Sequence, residues 1–216
     1  ASEVAATLTS IGHRVTMVML EDQPLSRQFG PNVGAHFRRV LEDHGVMLVS
    51  GDEVKEIVGA GERVSGVVTA GGRSLPADVV ICGVGAMPDV MLARKAGLEI
   101  GVNGGVACDS RLRTSADAVY AAGDMCEYES VVHGRIVRIE HENVAETQGA
   151  TAAQNMMGAD APYDTVPYFF SDLSDWASLE YVGPAYAWDA EIVSGSTEDG
   201  AFSVVLRGRA ARDRRA

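Results

Sequence analysis

The first fifty residues alternate between helical and strand patterns, and this alternation restricts the fold more than any other feature of the sequence. A helix is predicted over residues 2–11, followed by an unbroken apolar run at 15–20, which is typical of a parallel strand buried on both faces. A second helix is predicted from Asn32, as its N-cap, to about His44, and a short strand follows at 46–49. The order helix, strand, helix, strand predicts a doubly wound α/β domain that is entered part-way through.

The middle of the chain adds short strands and then returns to the α/β pattern. Residues 53–75 predict an antiparallel meander, because glycine turns separate its apolar segments. Residues 78–82 predict another buried strand, which ends in the glycine-containing loop 83–88 and leads into a helix at 89–96. The meander is therefore expected to cover a sheet that continues on both sides of it.

The rest of the chain predicts the end of one domain and the start of another. Residues 106–122 indicate a strand, a loop and a strand, and an alanine-rich helix follows at 142–157. Ala161-Pro162 is typical of a domain boundary. Beyond it the sequence indicates a small α+β domain, with short strands at 168–170, 179–182, 190–194 and 202–206.

Composition excludes several classes of partner. The formal net charge is -12, which argues against binding to nucleic acid or to an anionic membrane. The three cysteines are widely spaced and contain no C-x-x-C pair, so neither a disulfide framework nor a metal site is expected. No apolar run reaches the length of about 18 residues that a spanning helix needs. These features favour a cytoplasmic protein, although the chain does not begin with Met.

Ala1 and Glu21 have the spacing of a dinucleotide site. If a strand and a glycine turn preceded Ala1, it would fill the last position of G-x-G-x-x-[GA], where a small residue lets the helix N-terminus face a pyrophosphate. Glu21 then follows the next strand, where a carboxylate accepts hydrogen bonds from the adenosine ribose and repels a 2′-phosphate. An ordinary surface glutamate is the alternative interpretation of Glu21.

Polar residues further along the chain suggest a second ligand contact. Asp124 ends a predicted strand after Gly123, which lets the backbone approach a ligand, so its carboxylate can accept from a polyol hydroxyl. Glu140 and His141 precede a long helix, whose free amides stabilise negative charge such as that of a reduced flavin. The alternatives are a capping aspartate at 124 and a capping cluster before the helix. Taken alone, the aromatic residues around Phe170 fit a core better than a site.

Six segments stand in the order and spacing of one protein family, and they extend from Ala1 to about residue 206. Together they resemble the FAD-dependent pyridine nucleotide-disulfide oxidoreductase superfamily, in the branch of the ferredoxin (rubredoxin, putidaredoxin) reductases and apoptosis-inducing factor. The segments are Ala1-Ser2-Glu3-Val4-Ala5, Gly83-Val84-Gly85-Ala86-Met87-Pro88, Val119-Tyr120-Ala121-Ala122-Gly123-Asp124, Arg138-Ile139-Glu140-His141, Gln148-Gly149 with Ala152-Ala153-Gln154-Asn155-Met156, and Phe169-Phe170-Ser171-Asp172.

The resemblance implies a division of the chain by cofactor. Residues 1–104 would be a Rossmann-like NAD-binding domain without its first strand, and residues 105–160 the C-terminal part of an FAD-binding domain. Residues 162–206 would begin a C-terminal interface domain, and residues 207–216 would be a disordered tail. The FAD-binding segment with its own G-x-G-x-x-G is absent from the sequence, so the chain is expected to be N-terminally truncated. An alternative is that the chain folds only in part and is inactive by itself.

The resemblance also implies cofactor contacts. Glu21 would contact the NAD adenosine ribose, and Gly85 would border the nicotinamide nucleotide. Asp124 would bond the ribityl chain of FAD, while Glu140 and His141 would lie near the nicotinamide and isoalloxazine rings. The remaining implied cofactor-binding positions are Ala1, Glu3, Gly83, Gly123 and Phe170.

The expected activity is hydride transfer from NADH to FAD, with electrons then passing to a small iron–sulfur protein. NAD is favoured over NADP because Glu21-Asp22 would meet a 2′-phosphate with like charge. Glu142 and Phe170 stand where many relatives carry Trp, so the sequence does not identify the electron acceptor. The alternatives are an NADH oxidase, a reductase of quinones or radicals, and a redox-sensing interaction protein.

Overall fold

The computed structural model describes residues 1–183 and 188–208, which pack into two units. Unit 1 contains residues 1–84 and 171–179 together with the described residues from 188 onwards. Unit 2 contains residues 85–170 and the described residues that follow from 180. These units are defined by which residues pack together, so the cofactor-based domain limits remain a prediction.

Unit 1 begins with the predicted alternation of helices and strands. The two strands pair in parallel, with Met17 opposite Leu48. This pairing confirms the α/β pattern, because parallel neighbours require a crossover such as the helix between them. The elements are α1 (Ser2–Ser10), β1 (Thr16–Val18), α2 (Ser26–Phe29), α3 (Pro31–Asp43) and β2 (Met47–Val49).

The start of α3 differs from its prediction. Gly30 rather than Asn32 is the N-cap, because Pro31 occupies the first turn, where its fixed φ suits a helix and its missing N–H costs nothing. The Asn32 side chain instead donates to the Glu191 carboxylate at 2.6 Å. The helix ends at Asp43, just before the predicted stop at Gly45, whose φ of +91° favours glycine.

The predicted meander is confirmed in unit 1. β3 (Val54–Ala60), β4 (Arg63–Thr69) and β5 (Ser74–Pro76) form an antiparallel sheet. The strand predicted at 78–82 is wrong, because the described structure gives this segment no strand and leaves Val79 72% exposed. An apolar run becomes a parallel strand only when a neighbour completes its ladder, and this segment has no such neighbour among the described residues.

Unit 2 has a mixed three-stranded sheet and one long helix. β6 pairs in parallel with β7, and β7 pairs antiparallel with β8. The strand predicted immediately before Gly123 is reduced to an isolated bridge between Arg113 and Tyr120. The elements are α4 (Met91–Lys95), β6 (Val106–Cys108), a 3-10 turn (Gly123–Met125), β7 (Cys126–Ser130), β8 (Arg135–Val137) and α5 (Glu142–Met156).

The core of unit 2 lies between its sheet and α5. Its members are apolar apart from two tyrosines and two thiols, and burial of this kind contributes roughly 25 cal/mol per Å² of apolar surface. Cys108 and Cys126 are both buried in this core as free thiols. The most completely buried members are Val106, Leu112, Cys126, Tyr128, Val144 and Tyr163.

Four short strands follow the long helix, as predicted. They form two separate two-stranded sheets. Of the predicted tail 207–216, Arg207 closes the last strand, whereas residues 209–216 lie outside the described residues. No helix in the described part of the chain is long and apolar enough to cross a membrane. The strands are β9 (Tyr168–Leu173), β10 (Ala177–Val182), β11 (Ala190–Ser196) and β12 (Ala201–Arg207).

Candidate functional site

Unit 2 contains a cavity of about 410 Å³ where three segments of the chain meet. This volume falls within the range of roughly 300–1,000 Å³ that is usual for small-molecule sites. The walls come from the loop before α4, the 3-10 turn and the strand end before α5. The lining residues are Ala86, Met87, Pro88, Asp89, Ala122, Asp124, Met125, Arg138 and Glu140.

The turn that presents Asp124 is fixed by its neighbouring glycine. Gly123 has a φ of +76°, a conformation that L side chains rarely adopt. Its N–H donates to Oε1 of Gln148 at 2.8 Å, and Gln148 is buried in α5 with only 1% of its surface exposed. This hydrogen bond ties the turn to the helix and leaves the exposed Asp124 at the wall of the cavity.

Arg138 links two acidic residues of the cavity wall. Its Nη1 donates to the main-chain oxygen of Asp124 at 2.9 Å and to the Glu140 carboxylate at 2.5 Å. The Arg138 side chain is only 16% exposed, whereas that of Glu140 is 40% exposed, so solvent still screens part of this pairing. Its Nε is buried and has no hydrogen-bond partner.

His141 forms the N-cap of α5 and packs against an aromatic ring. Its imidazole lies 5.3 Å from the ring of Phe169, measured between centroids. Burial lowers the pKa of His141, and the Asp124 carboxylate opposes part of that shift. The His141 Nδ1 is buried without a hydrogen-bond partner, and so is Oδ1 of Asn143 in the first turn of the helix.

The unpartnered atoms of Arg138, His141 and Asn143 fit a site for a polar ligand. Buried polar atoms almost always have a hydrogen-bond partner, because burying them alone costs free energy. Of the three residues only Arg138 lines the cavity, while His141 lies close enough to Asp124 to interact with its charge. The cavity wall thus offers the carboxylates of Asp124 and Glu140 to hydroxyl donors, and Arg138 beside them to an acceptor.

Replacing His141 with asparagine is expected to make the protein less sensitive to acid. Because the pKa of His141 is lowered in the folded state, the unfolded chain binds its proton first, so stability is lost as the pH falls below the unfolded value of about 6.5. Between pH 8 and pH 5.5 the fall in Tm should shrink by roughly 1–2 °C. Part of the acid sensitivity should remain, because burial also lowers the pKa of His133.

The control for this prediction is His13→Asn, which alters an exposed histidine. Melting curves at both pH values, followed by circular dichroism, provide the measurement. An equal change in His13→Asn, or a larger acid loss in His141→Asn, would contradict the assignment of the effect to His141.

In unit 1 the structure brings two of the predicted residues together. A Cβ placed on Gly83 would lie 3.6 Å from the Cβ of Ala1, so the loop after residue 82 approaches the N-terminus of α1. Glu3 accepts a hydrogen bond from the buried Ser171 at 2.6 Å. Glu21 follows β1, with Arg27 4.0 Å away from its carboxylate. These residues keep a predicted role, since their geometry alone does not assign a ligand.

The remaining predicted residues lie in unit 2. Gly85 is exposed with a φ of +90°, immediately before the cavity segment that starts at Ala86. Phe170 is 52% exposed, with its ring 6.4 Å from that of Tyr168. Because half of its surface is exposed, Phe170 does not act as a core residue alone.

Two residues that shape the cavity were missed as site residues. Arg138 and Gln148 stand in segments that resemble the family, yet neither was assigned to the site. Both bond main-chain atoms of the 3-10 turn, so their role depends on tertiary approach and not on sequence spacing. The sequence offers one signal for Arg138, which stands two residues before the predicted site residue Glu140.

The fold defines a class, the Rossmann-like α/β proteins. Residues 1–149 match the family described as "Pyridine nucleotide-disulphide oxidoreductase". The chain belongs to this family, in the branch of the ferredoxin reductases and apoptosis-inducing factor.

Similar proteins include reductase subunits and solved reductases. The ferredoxin reductase subunit of 5,5'-dehydrodivanillate O-demethylase from Sphingobium sp. is 38% identical over 206 residues, which cover 94% of this chain and 49% of that protein. Human apoptosis-inducing factor 3 is 33% identical over 198 residues, covering 91% of this chain and 33% of that protein. The chain therefore spans half or less of the length of these relatives.

Solved structures support the fold. A ferredoxin reductase from Rhodopseudomonas palustris matches with a TM-score of 0.90 and 33% identity, over 95% of this chain and 50% of that one. Putidaredoxin reductase in its covalent complex with putidaredoxin matches with a TM-score of 0.88 and 31% identity, over 95% of this chain and 49% of that one.

Proposed function

We propose that the protein carrying this chain is an FAD-dependent NADH oxidoreductase that passes electrons to a small iron–sulfur protein. The observation that carries the proposal is the unit 2 cavity, in which Asp124, Arg138 and Glu140 meet beside the N-terminus of α5. A cytoplasmic location is part of the proposal, and the three free cysteines are in keeping with a reducing compartment.

The residues of unit 2 suit the polar parts of FAD. Asp124 would accept hydroxyl donors of the ribityl chain, because its carboxylate is exposed at the cavity wall while its main chain is held by Arg138. The N-terminus of α5 would stabilise negative charge on the pyrimidine ring. His141 and Asn143 would supply the polar atoms that lack partners in the protein. When bound, FAD would supply the chemistry that couples hydride uptake from NADH to single-electron transfer.

The residues of unit 1 suit NADH. Glu21 would accept hydrogen bonds from the adenosine ribose, and Ala1 and Gly83 would allow a dinucleotide to approach closely at the start of α1. Gly85, which belongs to unit 2, would border the nicotinamide. The protein would contribute orientation and electrostatics to the transfer, since the chemistry belongs to the cofactors.

The acceptor is proposed from the relatives. They are named as reductases of ferredoxin, rubredoxin, rhodocoxin and putidaredoxin. Ferredoxins carry iron–sulfur clusters, which accept electrons singly. A protein of this kind is therefore the proposed partner.

The proposal predicts that NADH reduces ferredoxin through the FAD-loaded protein faster than it reduces oxygen or a quinone. Stopped-flow absorbance would follow flavin bleaching by NADH, and steady-state assays would compare the three acceptors at equal concentration. A preference for oxygen or quinone would make the protein an oxidase or a quinone reductase instead. Failure to bind FAD at all would overturn the proposal.

A further inference from the structure

Glu127 in β7 is a carboxylate enclosed by the protein, with only 1% of its surface exposed. Its acceptors are satisfied by N–H donors of one loop, residues 101–105. The Asn103 main-chain N–H reaches both carboxylate oxygens, at 2.9 and 3.1 Å, and its side-chain amide donates at 3.0 Å. The Gly105 N–H donates at 3.1 Å. A buried charge with this many donors is anchored in a single geometry.

The loop fits around Glu127 because it contains glycine at the contact points. A Cβ on Gly101 would overlap the Glu127 carboxyl group. A Cβ on Gly105 would lie 2.9 Å from Cβ of Glu127, 2.8 Å from the main-chain oxygen of Met125 and 2.9 Å from Cδ of Arg138. Glu127, the loop and Arg138 therefore pack tightly at Gly105.

Arg138 extends this contact to the cavity. One side of its stem lies against Gly105, while its Nη1 donates to the Asp124 main-chain oxygen and to Glu140. Displacement of the loop would loosen the packing against the Arg138 stem. The geometry of Asp124 would then change, because the main-chain bond to Arg138 orients its peptide.

We propose that Glu127 is a positioning residue for the ligand site of unit 2. By fixing loop 101–105 it holds Arg138 against the 3-10 turn, and Arg138 in turn sets the orientation of the Asp124 carboxylate towards a ligand hydroxyl. This inference rests on the proposed function for the identity of that ligand, FAD. The mechanical link from Glu127 to Asp124 is independent of the proposed function.

The variant Glu127→Gln tests the link, because it keeps the size of the side chain but leaves one carbonyl oxygen to accept from several N–H groups. FAD affinity, measured by flavin fluorescence on titrating the apoprotein, is expected to fall about tenfold, the size typical of coupling within one polar network. Amide hydrogen exchange without FAD is expected to speed up at residues 101–105 and also at 123–125. Asn103→Ala removes one donor to Glu127 and keeps the carboxylate, so it should produce a smaller change in both readouts. This variant tests the link even if Glu127→Gln folds poorly.

The matched control is Glu129→Gln, which neutralises an exposed glutamate on the same strand. Exchange that increases only at 101–105, or an FAD affinity that changes no more than in the control, would overturn the positioning role. If the wild type takes up no FAD while Glu127→Gln still speeds exchange at 123–125, the proposed function fails and the positioning link stands.

Discussion

Replacing Asp124 with alanine is expected to weaken FAD binding about 100-fold, since a hydrogen bond to a charged group contributes roughly 1.5–3 kcal/mol. The carboxylate is exposed at the cavity wall, so it is available to a ligand hydroxyl in the folded protein. Arg138 binds the main-chain oxygen of Asp124, which the substitution keeps. The turn should therefore hold its shape, and the free energy of unfolding should change by less than about 0.5 kcal/mol. Fluorescence titration of the apoprotein with FAD, together with a melting curve, measures both quantities.

Two further variants separate this effect from a loss of charge. Asp124→Asn keeps one acceptor oxygen, so it should lose about tenfold in affinity. Asp117→Ala removes an exposed aspartate elsewhere in unit 2 and should bind FAD as the wild type does. Wild-type affinity in Asp124→Ala would show that this carboxylate does not contact the flavin ribityl chain.

The longer helices of both units could be predicted because their signals are local, whereas the four-residue α2 was not expected. The end of α3 follows from apolar spacing and from Gly45, and α5 was placed with its start at Glu142. The strand expected at 78–82 failed for a different reason. An apolar run indicates that a segment can be buried. Whether it forms a strand also depends on a neighbouring strand elsewhere in the chain that completes its hydrogen bonds.

The candidate site shows the same division between local and tertiary information. Asp124 and Glu140 could be chosen because each stands at the end of a predicted element, where side chains meet ligands. Glu127 could not, because an acidic residue in a short strand normally indicates an exposed face. Its burial depends on a glycine-rich loop more than twenty residues earlier in the chain, whose N–H groups replace water around the carboxylate.

Replacing Glu21 with serine is expected to shift the preferred nucleotide from NADH towards NADPH. The carboxylate follows a parallel strand, where it would accept from the ribose hydroxyls and repel a 2′-phosphate. It also lies 4.0 Å from Arg27, whose side chain is 79% exposed. Serine removes the repulsion and frees the guanidinium to pair with a phosphate. The ratio of kcat/KM for NADPH to that for NADH should rise about 100-fold, as steady-state kinetics at low ionic strength can measure.

The role of Arg27 in this shift can be isolated by a double variant. Glu21→Ser combined with Arg27→Ser should keep the loss of NADH affinity but recover little of the NADPH activity, because no cation then faces the phosphate. Glu62→Ser makes the same charge change at an exposed turn between β3 and β4, so its selectivity should equal that of the wild type. Added salt should reduce the gain in Glu21→Ser, since a pair this exposed is screened within about 10 Å at 0.1 M. A selectivity ratio that stays unchanged in Glu21→Ser, or that rises equally in Glu62→Ser, would remove Glu21 from the nucleotide site.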